Sequence, residues 1–147
     1  MQRWTCRRPR QNDLVHTDLA RALNIVMSDV ARTGLPTNVV ADHDWVGHPG
    51  FQVGAMLSSP YGGGQGVSVL IGDAADDQLV SVADQVQEFV HESLLWTAGR
   101  PVVWPECPRH PDSHPMAPVN DERSGPAWTC PRDRIVIARI GELPASG

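Results

Sequence analysis

The sequence predicts an α+β domain: an N-terminal helix, antiparallel β strands, a long amphipathic helix and a C-terminal β hairpin. Three observations carry this expectation. Residues 13–33 and 74–97 each repeat apolar side chains every three or four positions, the period of a helix with one buried face. Residues 51–58 alternate Phe51, Val53, Ala55 and Leu57 with a less apolar set, the period of a half-buried strand. The last third is rich in proline, with two cysteines and two histidines, and returns to an apolar run only at Ile135–Ile140.

In the first helix, Leu19, Leu23, Val26 and Val30 fall on one face and Arg21, Asn24, Ser28 and Arg32 on the other. Asp13 or Thr17 is the expected N-cap, and Gly34 followed by Pro36 is the stop. Residues 38–72 read as strands. Phe51, Val53, Ala55 and Leu57 alternate with Gln52, Gly54, Met56 and Ser58, and "GVSVLIG" at 66–72 pairs with them across "PYGGGQ". This glycine-rich stretch lacks the Gly-Lys-Ser/Thr ending of a phosphate loop, and a flexible hairpin loop is the better reading. "NVVADHDWV" at 38–46 reads as a further strand or its lead-in.

The second helix places Leu79, Val82, Ala83, Val86, Phe89, Val90 and Leu94 on one broad face, opposite Asp77, Asp84, Glu88 and Glu92. Asp73, Asp76 and Asp77 suit its N-terminal end, where the helix dipole favours anions, and Gly99 ends it. The acidic stripe reads as a solvated face, with docking of a basic partner as a minor alternative. In the tail, 101–108 reads as a short strand entering a turn and 126–143 as a second strand. The second is apolar on both faces at Ile135–Ile140 and is therefore expected to be central or covered. The Pro-rich residues 108–126 between them read as loop.

At 147 residues the chain suits one domain, here 13–147, preceded by an arginine-rich arm at 1–12. All twelve basic residues are arginine, and with abundant Ala, Gly, Pro, Val and Asp this suggests a high-GC bacterium as the source. The arm carries Arg3, Arg7, Arg8 and Arg10; removing these four from the twelve leaves eight basic against seventeen acidic residues, a net of −9. Such a body repels a phosphate backbone, so nucleic acid would have to meet the arm or a local patch. A solvated tail is the simpler reading of the arm. No apolar run has membrane-spanning length and no apolar core follows the arginines as in a signal peptide, so a reducing cytoplasm is the expected location. There cysteines serve as ligands or thiols more often than as disulfides.

Cys107-Pro108-Arg109-His110 sets two ligands three residues apart around a proline, the spacing of a zinc knuckle. His114 follows, and Cys130 opens a second Cys-Pro-Arg turn at the start of the returning strand. Two strands presenting ligand turns to one ion resemble zinc-ribbon modules, over the last third of the chain only. The expected zinc ligands are Cys107, His110, His114 and Cys130. A ribbon would carry Cys or His where this chain has Asp133, so Asp133 is either the fourth ligand in place of His114 or an outer partner of a ligating histidine. Plain loop histidines with a buried Cys130 thiol is the bland alternative. In an exported protein Cys107–Cys130 would instead be a disulfide, leaving Cys6 odd.

Neither His-Glu-x-x-His nor the zinc deaminase signature occurs. Glu106 and Asp112 lie near the expected ligands. His91-Glu92 has no second histidine at helical spacing, and Asp42, His43, Asp44 and His48 follow no metal-site spacing rule. The leading expectation is a non-catalytic structural, assembly or interaction protein with a protein partner or a homo-oligomeric state. Its zinc orders the C-terminal segment, and Trp4, Trp45, Trp96, Trp104 and Trp128 are either contact residues or, for most of them equally, core. A nucleic-acid-associated zinc protein using the arm with Arg109, Arg123, Arg132, Arg134 and Arg139 is the alternative, and a zinc hydrolase the third.

Overall fold

The computed structural model describes residues 15–35, 51–58, 64–98 and 103–145, without the side chains of 94–98. The arm at 1–12, Cys6, the expected strand at 38–46, the group Asp42, His43, Asp44 and His48, and the helix stop at Gly99 lie outside the described residues.

Helix α1 spans Thr17–Arg32 and buries Leu19, Leu23, Val26 and Val30, as its periodicity requires. Its cap differs from expectation. His16 is the N-cap, its Nδ1 accepting the Asp18 N–H at 3.2 Å, while Thr17 is already helical. The extended backbone at His16 (ψ 140°) carries its ring over the first turn, where it satisfies a donor that the helix leaves open. At the other end Gly34 takes φ +75°, and the Gly34 and Leu35 N–H groups donate to the Ala31 and Val30 carbonyls. That left-handed closure favours a residue without Cβ.

Strands β1 (Gln52–Ser58) and β2 (Gly64–Leu70) form an antiparallel pair with Ala55 opposite Val67 and Val53 opposite Val69. Ala55, Leu57, Val67 and Val69 face the core. Phe51, grouped with them by alternation, sits outside the strand and is 62% exposed. Helix α2 (Ala75–Ala98) buries Val82, Ala83, Val86 and Val90 and leaves Asp77, Asp84, Glu88 and Glu92 in solvent. It packs on α1 and also lies against β2, β3 and β4, so it joins the two sheets.

The C-terminal region holds more strand than its prolines suggest. Strands β3 (Ala117–Asp121), β4 (Gly125–Cys130) and β5 (Ile135–Arg139) form an antiparallel sheet in the order β3-β4-β5. Three expectations are corrected here. β3 lies inside the Pro-rich stretch read as loop; Pro118 fits because β3 is an edge strand and needs no outward N–H. The single strand expected over 126–143 is two strands, reversed by a turn at 131–134 in which Arg134 takes φ +56° and its N–H donates to the Cys130 carbonyl. The central strand is therefore β4, buried from Ala127 to Cys130, whereas the apolar run at Ile135 is an edge with Ile135 39% exposed. Of the short strand expected at 101–108, the described residues show a single bridge, Glu106 to Pro115.

One contiguous core joins α1, β1, β2, α2 and the C-terminal sheet, with Trp128, Cys107 and Cys130 fully enclosed. Asp29 of α1 is also fully buried. Its carboxylate accepts Trp128 Nε1–H at 2.8 Å, Gly141 N–H at 2.7 Å and Leu143 N–H at 2.9 Å. Gly141 lies so close to α1 that a Cβ would stand 2.7 Å from Ile25 Cγ2. Removing the carboxylate strands three N–H donors, two of them buried, so Asp29→Ala is expected to cost about 2–4 kcal/mol in denaturant unfolding. Gly141→Ala combines a clash with φ +96° and is expected to cost about 1–3 kcal/mol. Wild-type midpoints for both variants would refute the tie between α1 and the C-terminal segment.

Candidate metal centre

The loop from Trp104 to Met116 is closed at its base. Met116 N–H donates to the Pro105 carbonyl at 2.8 Å, and the buried Gln87 amide of α2 donates to the carbonyls of Trp104 and Met116. Within the loop the His110 N–H donates to the Cys107 carbonyl, forming the first knuckle turn, and the Ser113 N–H donates back to His110. Asp112 takes φ +58°, with its N–H donating to Glu106 Oε1. This turn chemistry folds Cys107, His110 and His114 inward over a stretch with few apolar side chains. Cys130 arrives from the end of β4, placed by the register that pairs it with Ile135.

The four side chains converge. One ligand atom from each of Cys107, His110, His114 and Cys130 lies within 4.8 Å of the others. His110 Nδ1 stands 3.1 Å from His114 Nε2, 3.4 Å from Cys130 Sγ and 3.8 Å from Cys107 Sγ. Cys130 Sγ and His114 Nε2 are 3.9 Å apart. A tetrahedral ion with sulfur at about 2.3 Å and nitrogen at about 2.0 Å separates neighbouring ligand atoms by about 3.3–3.8 Å, so the spacing is compatible with a metal site. Both sulfurs are buried and the imidazoles are half-buried.

The donor chemistry fits as well. The Pro115 carbonyl lies 3.0 Å from His114 Nδ1 and can only accept, which puts the proton on Nδ1 and leaves the Nε2 lone pair facing the cluster. The Asp133 N–H donates to Cys130 Sγ at 3.3 Å, a bond that suits a thiolate. Asp133 itself is not among the four converging groups. Its carboxylate accepts from Arg109 Nε and stands 3.6 Å from His110 Nε2, on the outer side of the ring.

Other sequence candidates sit elsewhere. His91 Nε2 is 2.7 Å from the Trp104 carbonyl and 3.2 Å from its N–H, so it braces the base of the loop. Trp104 and Trp128 are not surface contact residues; they are core, stacked edge to face with ring centroids 5.6 Å apart. Trp4 and Trp45, and the side chain of Trp96, lie outside the described residues. Sequence reasoning missed Gln87 and Asp29, the polar groups that position the loop and β4. The one available signal was their place on the apolar stripes of their helices, Gln87 beside Val86 and Val90 and Asp29 beside Val26 and Val30.

The Arg109 guanidinium, chiefly through its hydrogen bond, holds the Asp133 carboxyl below the ordinary aspartate range. A lowered folded-state pKa contributes stability that is present above the unfolded pKa and lost as the pH falls through the folded one. The pair is exposed and screened, so this contribution is small. Arg109→Ala is expected to move the Asp133 carboxyl titration upward, as followed by carbon-detected NMR; an unmoved titration would contradict the contact. Comparison with protein-family models, curated proteins and solved structures finds no match to this chain, so the metal-compatible cluster is read on its own geometry.

Proposed function

We propose that this chain is a small zinc-binding, non-catalytic structural or assembly protein in which one zinc ion orders the C-terminal segment. The observation that carries the proposal is the convergence of Cys107, His110, His114 and Cys130 from two turns onto one point at the end of the central strand. Two thiolates with two imidazoles are a donor set that suits zinc. Four protein ligands complete its tetrahedral shell and leave no position for a catalytic water, which favours a structural over a hydrolytic role.

The ion does work that side-chain packing leaves undone. It links a polar, Pro-rich loop to β4, which is itself tied to the helices. Structural zinc sites in small modules supply about 10–16 kcal/mol of apparent binding free energy, comparable with a whole domain's stability. Phe51, Leu70 and Ile71 support the assembly half of the proposal. All three are exposed at the open end of the β1-β2 pair, where the Ile71 N–H donates to the Phe51 carbonyl.

Elemental analysis of protein purified under reducing conditions without chelator is expected to find one zinc per chain, lost in Cys107→Ser. Limited proteolysis of Cys107→Ser or Cys130→Ser is expected to open new cleavage sites within 107–130 before the helices are cut. Wild-type protein without zinc would overturn the proposal.

A further inference from the structure

We propose that Asp133, held by Arg109, is a positioning residue that fixes which nitrogen His110 turns toward the metal. The inference rests on the zinc reading above and concerns how that site achieves its affinity.

The two histidines of the cluster are locked differently. His114 has its outer nitrogen on the Pro115 carbonyl, an acceptor that cannot change role. His110 has its outer nitrogen, Nε2, facing the Asp133 carboxylate at 3.6 Å, while its Nδ1 faces both sulfurs and His114. A carboxylate on that side favours a proton on Nε2 and so leaves the Nδ1 lone pair for the metal. When Nδ1 coordinates a cation the Nε2–H becomes a stronger donor, and the carboxylate is placed to accept it.

The repeat explains why Asp133 is available for this. Cys107-Pro-Arg-His110 and Cys130-Pro-Arg-Asp133 repeat one sequence pattern, and Asp133 occupies the position that His110 occupies in the first. Its backbone N–H is engaged on Cys130 Sγ at 3.3 Å, and its side chain reaches across to the other turn. One residue therefore touches two of the four candidate ligands. Arg109, from the first turn, closes the arrangement by donating Nε to Asp133 Oδ2, the oxygen that faces His110. The chain is thus cross-braced: Arg109 orients Asp133, and Asp133 orients His110.

The test is zinc affinity, measured by competition with a chromophoric chelator, together with nitrogen-15 NMR of the His110 ring in zinc-loaded protein. Asp133→Ala is expected to keep one zinc per chain but bind it about 10–100-fold more weakly. Asp133→Asn keeps the shape and an accepting oxygen, and is expected to lose less. The exchanged pair Arg109→Asp with Asp133→Arg keeps an ion pair between the turns but removes the acceptor from His110, and is expected to bind as weakly as Asp133→Ala. In wild type the His110 Nε2 is expected to carry the proton. Wild-type affinity in Asp133→Ala, full recovery in the exchanged pair, or a His110 ring bound through Nε2 would each overturn the inference while leaving the zinc reading intact. Should Asp133→Ala fail to fold, Asp133→Asn and the wild-type ring protonation decide the matter. Absence of zinc from the wild type would remove the zinc reading itself.

Discussion

A buried carboxylate holds this structure together. Asp29 lies fully enclosed near the end of α1 and receives N–H groups from Trp128 on β4 and from Gly141 and Leu143 beyond β5. A polar group in that position is tolerable only while its partners are present, because desolvation without hydrogen bonds is costly. Helix α1, the central strand and the C-terminal segment must therefore assemble together. The consequence reaches the candidate metal centre, because Trp128 precedes Cys130 by two residues on one strand and both are fully buried. Whatever places Trp128 also places Cys130.

The other wall of the centre hangs on the same helix end and on α2. Trp104 stacks edge to face on Trp128, and its indole N–H donates to Thr33 Oγ1 just past α1. Gln87 of α2 gathers the carbonyls at both ends of the loop. The cysteines and histidines thus converge on a frame built by side chains that are not themselves ligand candidates. A metal there would join two pieces already brought close, so the entropy of loop closure is partly met by the protein fold.

Side-chain amides recur as a device in α2. Gln85 accepts from the Ser68 N–H and donates to the Ser68 carbonyl, serving β2 as a neighbouring strand would, and Gln78 donates to the Leu70 carbonyl. A two-stranded sheet has exposed backbone on its edges, and the helix covers this one with side-chain amides. Periodicity cannot reveal such a role, since a glutamine on an apolar stripe looks like a flaw in the pattern. The elements that were legible are those with a local cause: both helices, the Gly34 stop, the β1-β2 pairing and the Cys107–His110 spacing within the candidate site. The elements misread are those decided by neighbours. They are β3 under its prolines and the edge position of β5.

By itself the sequence determined the helical faces, through an apolar period that matches 3.6 residues per turn. It determined the ligand spacing of the Cys-Pro-Arg turns, where proline presets φ for the second position of a turn. Only the tertiary structure decided the fourth member of the cluster. His114 and Asp133 are equally plausible by spacing, and the choice depends on which direction each side chain faces. The Pro115 carbonyl turns His114 inward, whereas Arg109 holds Asp133 on the outer side of His110. The Arg109–Asp133 contact joins residues 24 apart in the chain and exists only once β4 and the loop have met, which requires Asp29 and Gln87, two polar residues whose partners lie 17 to 114 positions away.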